Sequence, residues 1–148
     1  MIRRARPEDA ADIAESFDES FQSLLTFLPD LHTRDDRGRF MTEVVPRDHE
    51  LWVAEEEGRV VGFAALGQST LGHLYVRPGY HGRGIGSALL AKTKELRPAG
   101  FTLWTFPANE SACRFYEQRG LRPIEYGDGS GNEEGLPDVR YEWLPGRE

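Results

Sequence analysis

The sequence has a single cysteine, Cys113. No disulfide can form within the chain, and no cysteine-rich zinc site can be assembled. The four histidines, His32, His49, His73 and His81, include no pair at the i, i+4 spacing of a helical metal site, and no metal is expected. Positive charge is also in short supply. Lys and Arg number 18 against 25 Asp and Glu, a net charge of −7, which does not suit sequence-independent binding to nucleic acid. No apolar run approaches the length of a membrane span, and the Met1–Asp9 stretch has no apolar h-region after its arginines. Neither nucleic acid nor membrane is an expected partner, and the cytoplasm is the expected compartment.

The 148 residues are 39% hydrophobic and 29% charged, ordinary values for a globular domain. A chain of this size buries about two-thirds of its unfolded surface, enough for a core without staples. One domain over residues 1–148 is expected. Ile2 to Ala5 reads as a short strand. Pro7, Glu8 and Asp9 suit a helix start, and Ile13, Phe17, Phe21, Leu24 and Leu28 recur at helical spacing up to Pro29. Thr33 can cap a second helix with Phe40, Met41, Val44 and Val45 as its stripe and Pro46 as its stop.

Strand character begins at Leu51. Leu51 to Glu55, turning at Glu57-Gly58 into Arg59 to Leu66, reads as a hairpin, and Leu71 to Val76 is a third strand of that set. Ile85, Ala88, Leu89 and Leu96 mark a helix. Phe101 to Phe106 is a strand, and Ala112, Phe115 and Tyr116 mark a fourth helix with Gly120 as a left-handed cap. Leu121 to Tyr126 and Val139 to Leu144 are the last strands, joined by the polar loop Asp128 to Pro137. The order β-α-α-β-β-β-α-β-α-β-β implies an α/β fold: a mixed sheet of six or seven strands with helices on both faces. Trp52 and Trp104 are expected to pack the sheet. Exposed terminal strands would suit a homodimer.

The most informative segment is Tyr75-Val76-Arg77-Pro78-Gly79-Tyr80-His81-Gly82-Arg83-Gly84-Ile85-Gly86-Ser87. It runs from a strand directly into a helix. Glycines here would each weaken the helix start by up to roughly 1 kcal/mol relative to alanine. A use that repays that cost is close approach of backbone N–H groups to an anion at a positive helix end, a pyrophosphate cradle. Gly84 is followed by Ile85, not Lys, which excludes a P-loop. The strict alternation of the glycines, with no acid on the next strand, excludes the dinucleotide fingerprint.

His81-Gly82-Arg83-Gly84-Ile85-Gly86 resembles the Arg/Gln-x-x-Gly-x-Gly/Ala signature of the GNAT N-acetyltransferases, with His81 in place of Arg or Gln. Asn109-Glu110-Ser111-Ala112-Cys113-Arg114-Phe115-Tyr116-Glu117-Gln118-Arg119-Gly120-Leu121 is similar to the family's Asn…Phe-Tyr-x-x-x-Gly-Phe/Leu segment. With Val60 to Ala64 and Leu74 to Val76, the resemblance covers roughly residues 50–125. It implies the GNAT fold, acetyl-coenzyme A as cofactor without a metal, and direct acetyl transfer to a primary amine of a small molecule or an exposed protein site. It implies cofactor contacts from Leu74, Tyr75, Val76, His81, Gly82, Arg83, Gly84, Ile85, Gly86, Ser87, Asn109, Arg114 and Tyr116. Among these, Val76 N–H is the expected donor to the carbonyl oxygen and Tyr116 the expected acid for the leaving thiolate. Arg83, and then Arg114, are the expected phosphate cations.

A lysine-like amine with a pKa of about 10.4 costs roughly 4.6 kcal/mol to deprotonate at pH 7, so a base is expected. Relatives place one about where Gln68, Ser69 and Thr70 fall, and none of these can serve. His73 is the nearest titratable group; Glu133, Glu134 or a chain of waters are the alternatives. Asp128, Glu133, Glu134 and Asp138 crowd one loop whose field would draw a cationic amine, and His32, with Thr33, can border the same cleft. Glu133, Glu134 and His32 are thus the expected substrate-side residues. A non-catalytic acyl-CoA-binding module of the same fold is the alternative function; retention of Tyr116 and Asn109 weighs against it.

Overall fold

Strand pairing decides how these elements assemble. A computed structural model describes residues 1–24 and 27–146. Among them the order is β1 (Ile2–Arg4), α1 (Ala10–Ser23), α2 (Arg34–Arg39), β2 (Glu50–Glu56), β3 (Arg59–Leu66), β4 (Leu71–Val76), α3 (Ile85–Leu96), β5 (Phe101–Thr105), α4 (Glu110–Glu117), β6 (Arg122–Gly127) and β7 (Asp138–Trp143). This is the order read from the sequence. Thr33 caps α2 through its side chain, and the chain continues through a π-helical turn, Phe40–Val44, to a last turn containing Pro46.

The inner strand is β3, buried from Val60 to Leu66. Its side chains serve two cores. Val60, Phe63 and Ala65 meet Ile13, Phe17 and Met41 from the α1–α2 layer. Val61, Ala64 and Leu66 meet Leu89 and Leu90 of α3 on the opposite face. Each large apolar side chain so buried contributes about 1.5–3 kcal/mol. A bulge at Ala54/Glu55 accommodates two successive residues, Val61 and Gly62, on the α3 side.

The sheet divides in two. One part has the order β1-β2-β3-β4 and the other β5-β7-β6, and every pairing within each part is antiparallel. The mixed character lies at the junction, where Thr70 and Thr102 form a single parallel bridge and Thr102 N–H donates to Ser69 O at 3.1 Å. The bridge holds the N-terminal ends of β4 and β5. Among the described residues no further ladder pairing joins the two strands.

Two local expectations change. The first helix stops at Ser23 rather than Leu28. The Ser23 hydroxyl donates back to the Ser20 carbonyl at 2.6 Å, and Leu28 is buried through a turn closed on Leu24 instead. Trp104 does not pack the sheet; it points from the outer face of β5 and is 49% exposed. Trp52 does pack there, under the Lys92 ammonium. No helix of the described residues is long and apolar enough to cross a membrane.

Candidate active site

A cleft of about 950 Å³ lies between the end of β4, the start of α3, α4 and the end of α1. What the β4 backbone presents to it follows from ladder alternation. Arg77 N–H donates to Val61 O at 2.8 Å, and Val76 lies opposite Gly62. Arg77 therefore points its polar groups toward β3, and Val76 points its own N–H and C=O the other way, into the cleft. The carbonyl confirms this direction: it accepts from His81 Nε2 at 2.8 Å and from Ser20 Oγ at 3.3 Å. A carbonyl can only accept, so Nε2 carries the proton. His81, at the departed first position of the signature, thus ties the turn back to the strand.

The glycines do different jobs. Gly82 and Gly84 both sit at φ near +80°, and nothing lies within 4 Å of where a Cβ would stand. They meet the need for left-handed backbone and leave open space above the turn. Gly84 is the N-cap of α3 and no side chain caps that helix. Its first N–H groups are left for a ligand or solvent. Gly86 instead makes room for a neighbour, because a Cβ there would stand 3.3 Å from the Phe115 ring. α4 docks onto the start of α3 through this contact.

Asn109 caps α4, with Oδ1 accepting from Ala112 N–H at 3.2 Å, while also lining the cleft. The other end closes on Gly120, where Leu121 N–H reaches Tyr116 O and Gly120 N–H reaches Glu117 O. Between these caps Tyr116 is held on the inner face, packed against Phe115 and Tyr141 and facing the cleft. Burial, and secondarily Tyr75 and Cys113, push its pKa well above the ordinary phenol value. It is protonated at neutral pH. Burial also pushes Tyr75 up to about 12, with a smaller contribution from Glu134.

Of the two arginines expected at the cleft, one lines it and one does not. Arg83 leaves the cleft: its guanidinium lies over Tyr80 and pairs with Glu56 at 3.4 Å. Next to glycine the backbone direction, not sequence proximity, decides where a side chain exits. Arg114 lines the cleft and is exposed. Arg119, which sequence reasoning passed over, lines it as well. The only signal for it was its place just before the capping Gly120. Arg77 is 1% exposed. It donates to Glu15, to Glu19 Oε2 at 2.7 Å, to Val60 O at 2.9 Å and to Asp12 O at 3.3 Å. It locks α1 to the end of β4, one residue from Val76, and its charge holds the Glu15 carboxyl below the ordinary glutamate value.

The remaining predicted residues lie on the α1 side of the sheet. His73, the expected base, does not line the cleft. It is packed between Phe17, Phe40, His49 and Tyr75, and burial, with His49 adding to it, lowers its pKa to about 4. His32 Nε2 meets Glu133 Oε1 at 2.8 Å, joining the α1–α2 connection to the β6–β7 loop. Both are exposed and pair with each other rather than lining the cleft. His32 is set by Arg37, a buried arginine that bonds Asp18 at 2.6 Å and the His32 carbonyl at 2.7 Å. Glu134 is half-buried; burial raises its pKa above the ordinary glutamate value. It lines a second cavity of about 610 Å³ with Trp104, Phe106, Asp128 and Asp138. Phe106 stacks edge-on against Phe27 of the first cleft, so the two spaces adjoin at this ring pair.

Comparison with known proteins follows the same lines. A family model described as an acetyltransferase (GNAT) domain matches residues 47–122. An uncharacterized N-acetyltransferase from Archaeoglobus fulgidus is 32% identical, over 89% of this chain and 99% of that protein. The peptidyl-lysine N-acetyltransferase YiaC of Escherichia coli is 27% identical, over 84% of this chain and 85% of its own. Among solved structures, the acetyltransferase YncA from Salmonella typhimurium with its cofactor acetyl-CoA superposes with a TM-score of 0.75 at 20% identity, covering 100% of this chain and 95% of that one.

Proposed function

The chain belongs to the GNAT acetyltransferases, and from that premise we propose that it transfers acetyl from acetyl-coenzyme A to a primary amine that enters from the α1 side of the sheet. The observation that carries this reading is the convergence on one cleft of the outward Val76 N–H, the uncapped start of α3 and the Tyr116 hydroxyl. Acetyl-coenzyme A, when bound, supplies an acetyl thioester. The residues present fit it: the turn at Gly82 and Gly84 leaves room for a diphosphate, and the first N–H groups of α3 suit its charge.

Each polar group then has one task. Val76 N–H points where negative charge grows on the carbonyl oxygen, a role worth several kcal/mol in a site of low dielectric. The Ser20 and His81 bonds to the Val76 carbonyl fix that peptide. Tyr116 holds a proton for the departing sulfur. Its raised pKa is no bar, because burial penalises a thiolate in the same cleft in the same direction. Asn109 orients the pantetheine arm while capping α4.

On the acceptor side Glu134, in the adjoining cavity rather than in the cleft itself, takes the amine proton through a chain of waters. Its raised pKa brings it closer to the amine's than an exposed carboxylate, and its field already reaches Tyr75 at the cleft. The carboxylates of the second cavity draw a cationic amine toward it. A lysine side chain suits this approach, and the relative named as a peptidyl-lysine acetyltransferase supports that class.

The test is thiol release from acetyl-coenzyme A with lysine peptides and free amines, for wild type, Tyr116→Phe and Glu134→Gln. Wild type should turn over, and each variant should lose about 10²-fold or more in kcat. Full activity in Tyr116→Phe would remove the phenol from the mechanism. No turnover and no cofactor binding would overturn the reading.

A further inference from the structure

One hydroxyl at the cleft has no task in the mechanism above. Alternation along β4 divides its last residues between the two faces of the sheet. Leu74 and Val76 pack with the α3–α4 core, and Tyr75 between them packs with the α1–α2 core. Tyr75 is expected from the resemblance as a cofactor contact, yet its ring lies on the side of α1. It meets Phe17 edge-on at 5.3 Å between centroids, Phe63 at 5.8 Å and His73 at 6.1 Å. Packing of this kind asks only for a phenyl group. A hydroxyl taken from water without a partner is a cost, not a gain, so the fold does not account for the oxygen.

The Tyr75 hydroxyl has no hydrogen-bond partner among the described residues. It is not sealed in the core either: the buried side-chain polar atoms left without a partner are Ser16 Oγ and Arg140 Nε. It opens on the cleft, whose wall Tyr75 shares with Ser20, Val76 and Tyr116. The Tyr116 hydroxyl is likewise unpartnered, but its ring belongs to the α3–α4 core. Two phenols thus enter one cleft from opposite faces of the sheet. Tyr75 contributes to the raised pKa of Tyr116, and Glu134 contributes to that of Tyr75. The Tyr75 hydroxyl is therefore within electrostatic reach of both the acid and the base.

We propose that the Tyr75 hydroxyl binds the acceptor nitrogen, its oxygen accepting one N–H of the incoming amine. This rests on the acetyl-transfer reading above and deepens it by naming the group that holds the acceptor. Neighbouring residues of one strand then serve the two reacting partners. Val76 offers its backbone N–H to the carbonyl oxygen, and Tyr75 offers its side chain to the nitrogen from the α1 side. The phenol stays protonated at neutral pH, so its lone pairs accept from the amine while its O–H is free to donate to the waters that lead to Glu134. The hydroxyl makes no covalent bond and gives up no proton. It lines up the nitrogen, and a nitrogen held in position reaches the transition state with less freedom left to lose.

Tyr75→Phe keeps the ring and removes the oxygen. With lysine peptides and free amines as acceptors and acetyl-coenzyme A saturating, kcat/KM for the amine should fall about tenfold. Coenzyme A affinity by calorimetry should stay at the wild-type value, and the thermal midpoint should not drop. Tyr75→Leu, which also loses the ring contacts, should lower the midpoint as well as kcat/KM. Equal kcat/KM in wild type and Tyr75→Phe overturns the assignment and leaves acetyl transfer standing. Weaker coenzyme A affinity in Tyr75→Phe also overturns it and returns the residue to the cofactor. Absence of turnover by wild type with every acceptor overturns the acetyl-transfer reading and this inference with it.

Discussion

The two sides of the sheet are built by different means. On the α3–α4 side, most of the cleft wall comes from β4 to the end of α4, with Ser20, Ser23, Leu24 and Phe27 adding one edge, and it is shaped by backbone devices: left-handed glycines, an uncapped helix start and a capped neighbour. On the α1 side, the acceptor region draws its parts from far along the chain. Arg77 reaches Asp12, Glu15 and Glu19, His73 sits under Phe17, and Glu133 meets His32. Local construction suits a ligand common to a family. Long-range construction leaves the region proposed for the acceptor free to vary, at the cost of tying it to global packing. Substitutions on the long-range side should therefore cost stability, and those on the local side should cost ligand binding.

The sharpest test of that contrast is Arg77→Gln. It leaves Glu15 and Glu19 facing a buried amide. The guanidinium is buried but the carboxylates it leaves are over 40% exposed, so the loss is about 3 kcal/mol, the low end for breaking a buried pair from one side. Urea unfolding should record that loss, with the cofactor turn affected only through the fold. A near-normal midpoint would show that α1 is not locked to β4 through this residue.

His73 gives the next largest effect, and it depends on pH. Its folded pKa of about 4 lies below the unfolded value of 6.5, so between those values the unfolded chain binds more protons. The stability tied to the neutral ring is fully present above pH 6.5 and is lost as pH falls toward 4, up to about 3 kcal/mol. The facing groups are Phe17, Phe40, Tyr75 and His49, with Asp48 bonded to the last. Wild type should lose more stability than His73→Phe over this window. Equal losses would place the acid sensitivity in other groups.

On the local side, Gly84→Ala puts a Cβ at φ +80°, a strain of about 1–2 kcal/mol. It also stands in the space above the turn. The contrast predicts a modest drop in unfolding free energy with a much larger loss of coenzyme A affinity by calorimetry. A loss of stability with affinity intact would remove the turn from the ligand site.

How much was legible follows the same division. Gly82, Gly84, Asn109, Tyr116 and Gly120 could be placed because each acts within a few residues of itself, through a cap, a turn or a helix face. Arg119 lines the cleft and Arg83 turns away from it, because adjacency to the turn does not say on which side a side chain emerges. His73 was put on the right face, with Tyr75, but whether that face opens to a cleft or lies under α1 is a packing fact. Arg77, flanked by Val76 and Pro78, gave no sign that three carboxylates wait for it some sixty residues back. Glu134 could be singled out only as charge in a loop. Its burial depends on the loop closing on itself, through Asn132 holding Leu136 and Asp138.

The smallest effect belongs to the pair that joins the two loops over the acceptor region. Glu133 raises the His32 pKa, so any stability from the pair is present below the unfolded value of 6.5 and is lost as pH rises through the raised one. Both side chains are open to solvent, at 46% and 57% exposure, and exposed pairs contribute little. His32→Ala should shift the thermal midpoint by no more than about 1 °C at pH 5.5, and not at all at pH 8. The β6–β7 loop then keeps its shape through Asp128 and Asn132, and the His32 segment through Arg37. A drop of several degrees confined to the lower pH would show that this surface contact carries long-range construction as firmly as the Arg77 clamp does, and the acceptor region would be fastened at both its buried and its exposed edge.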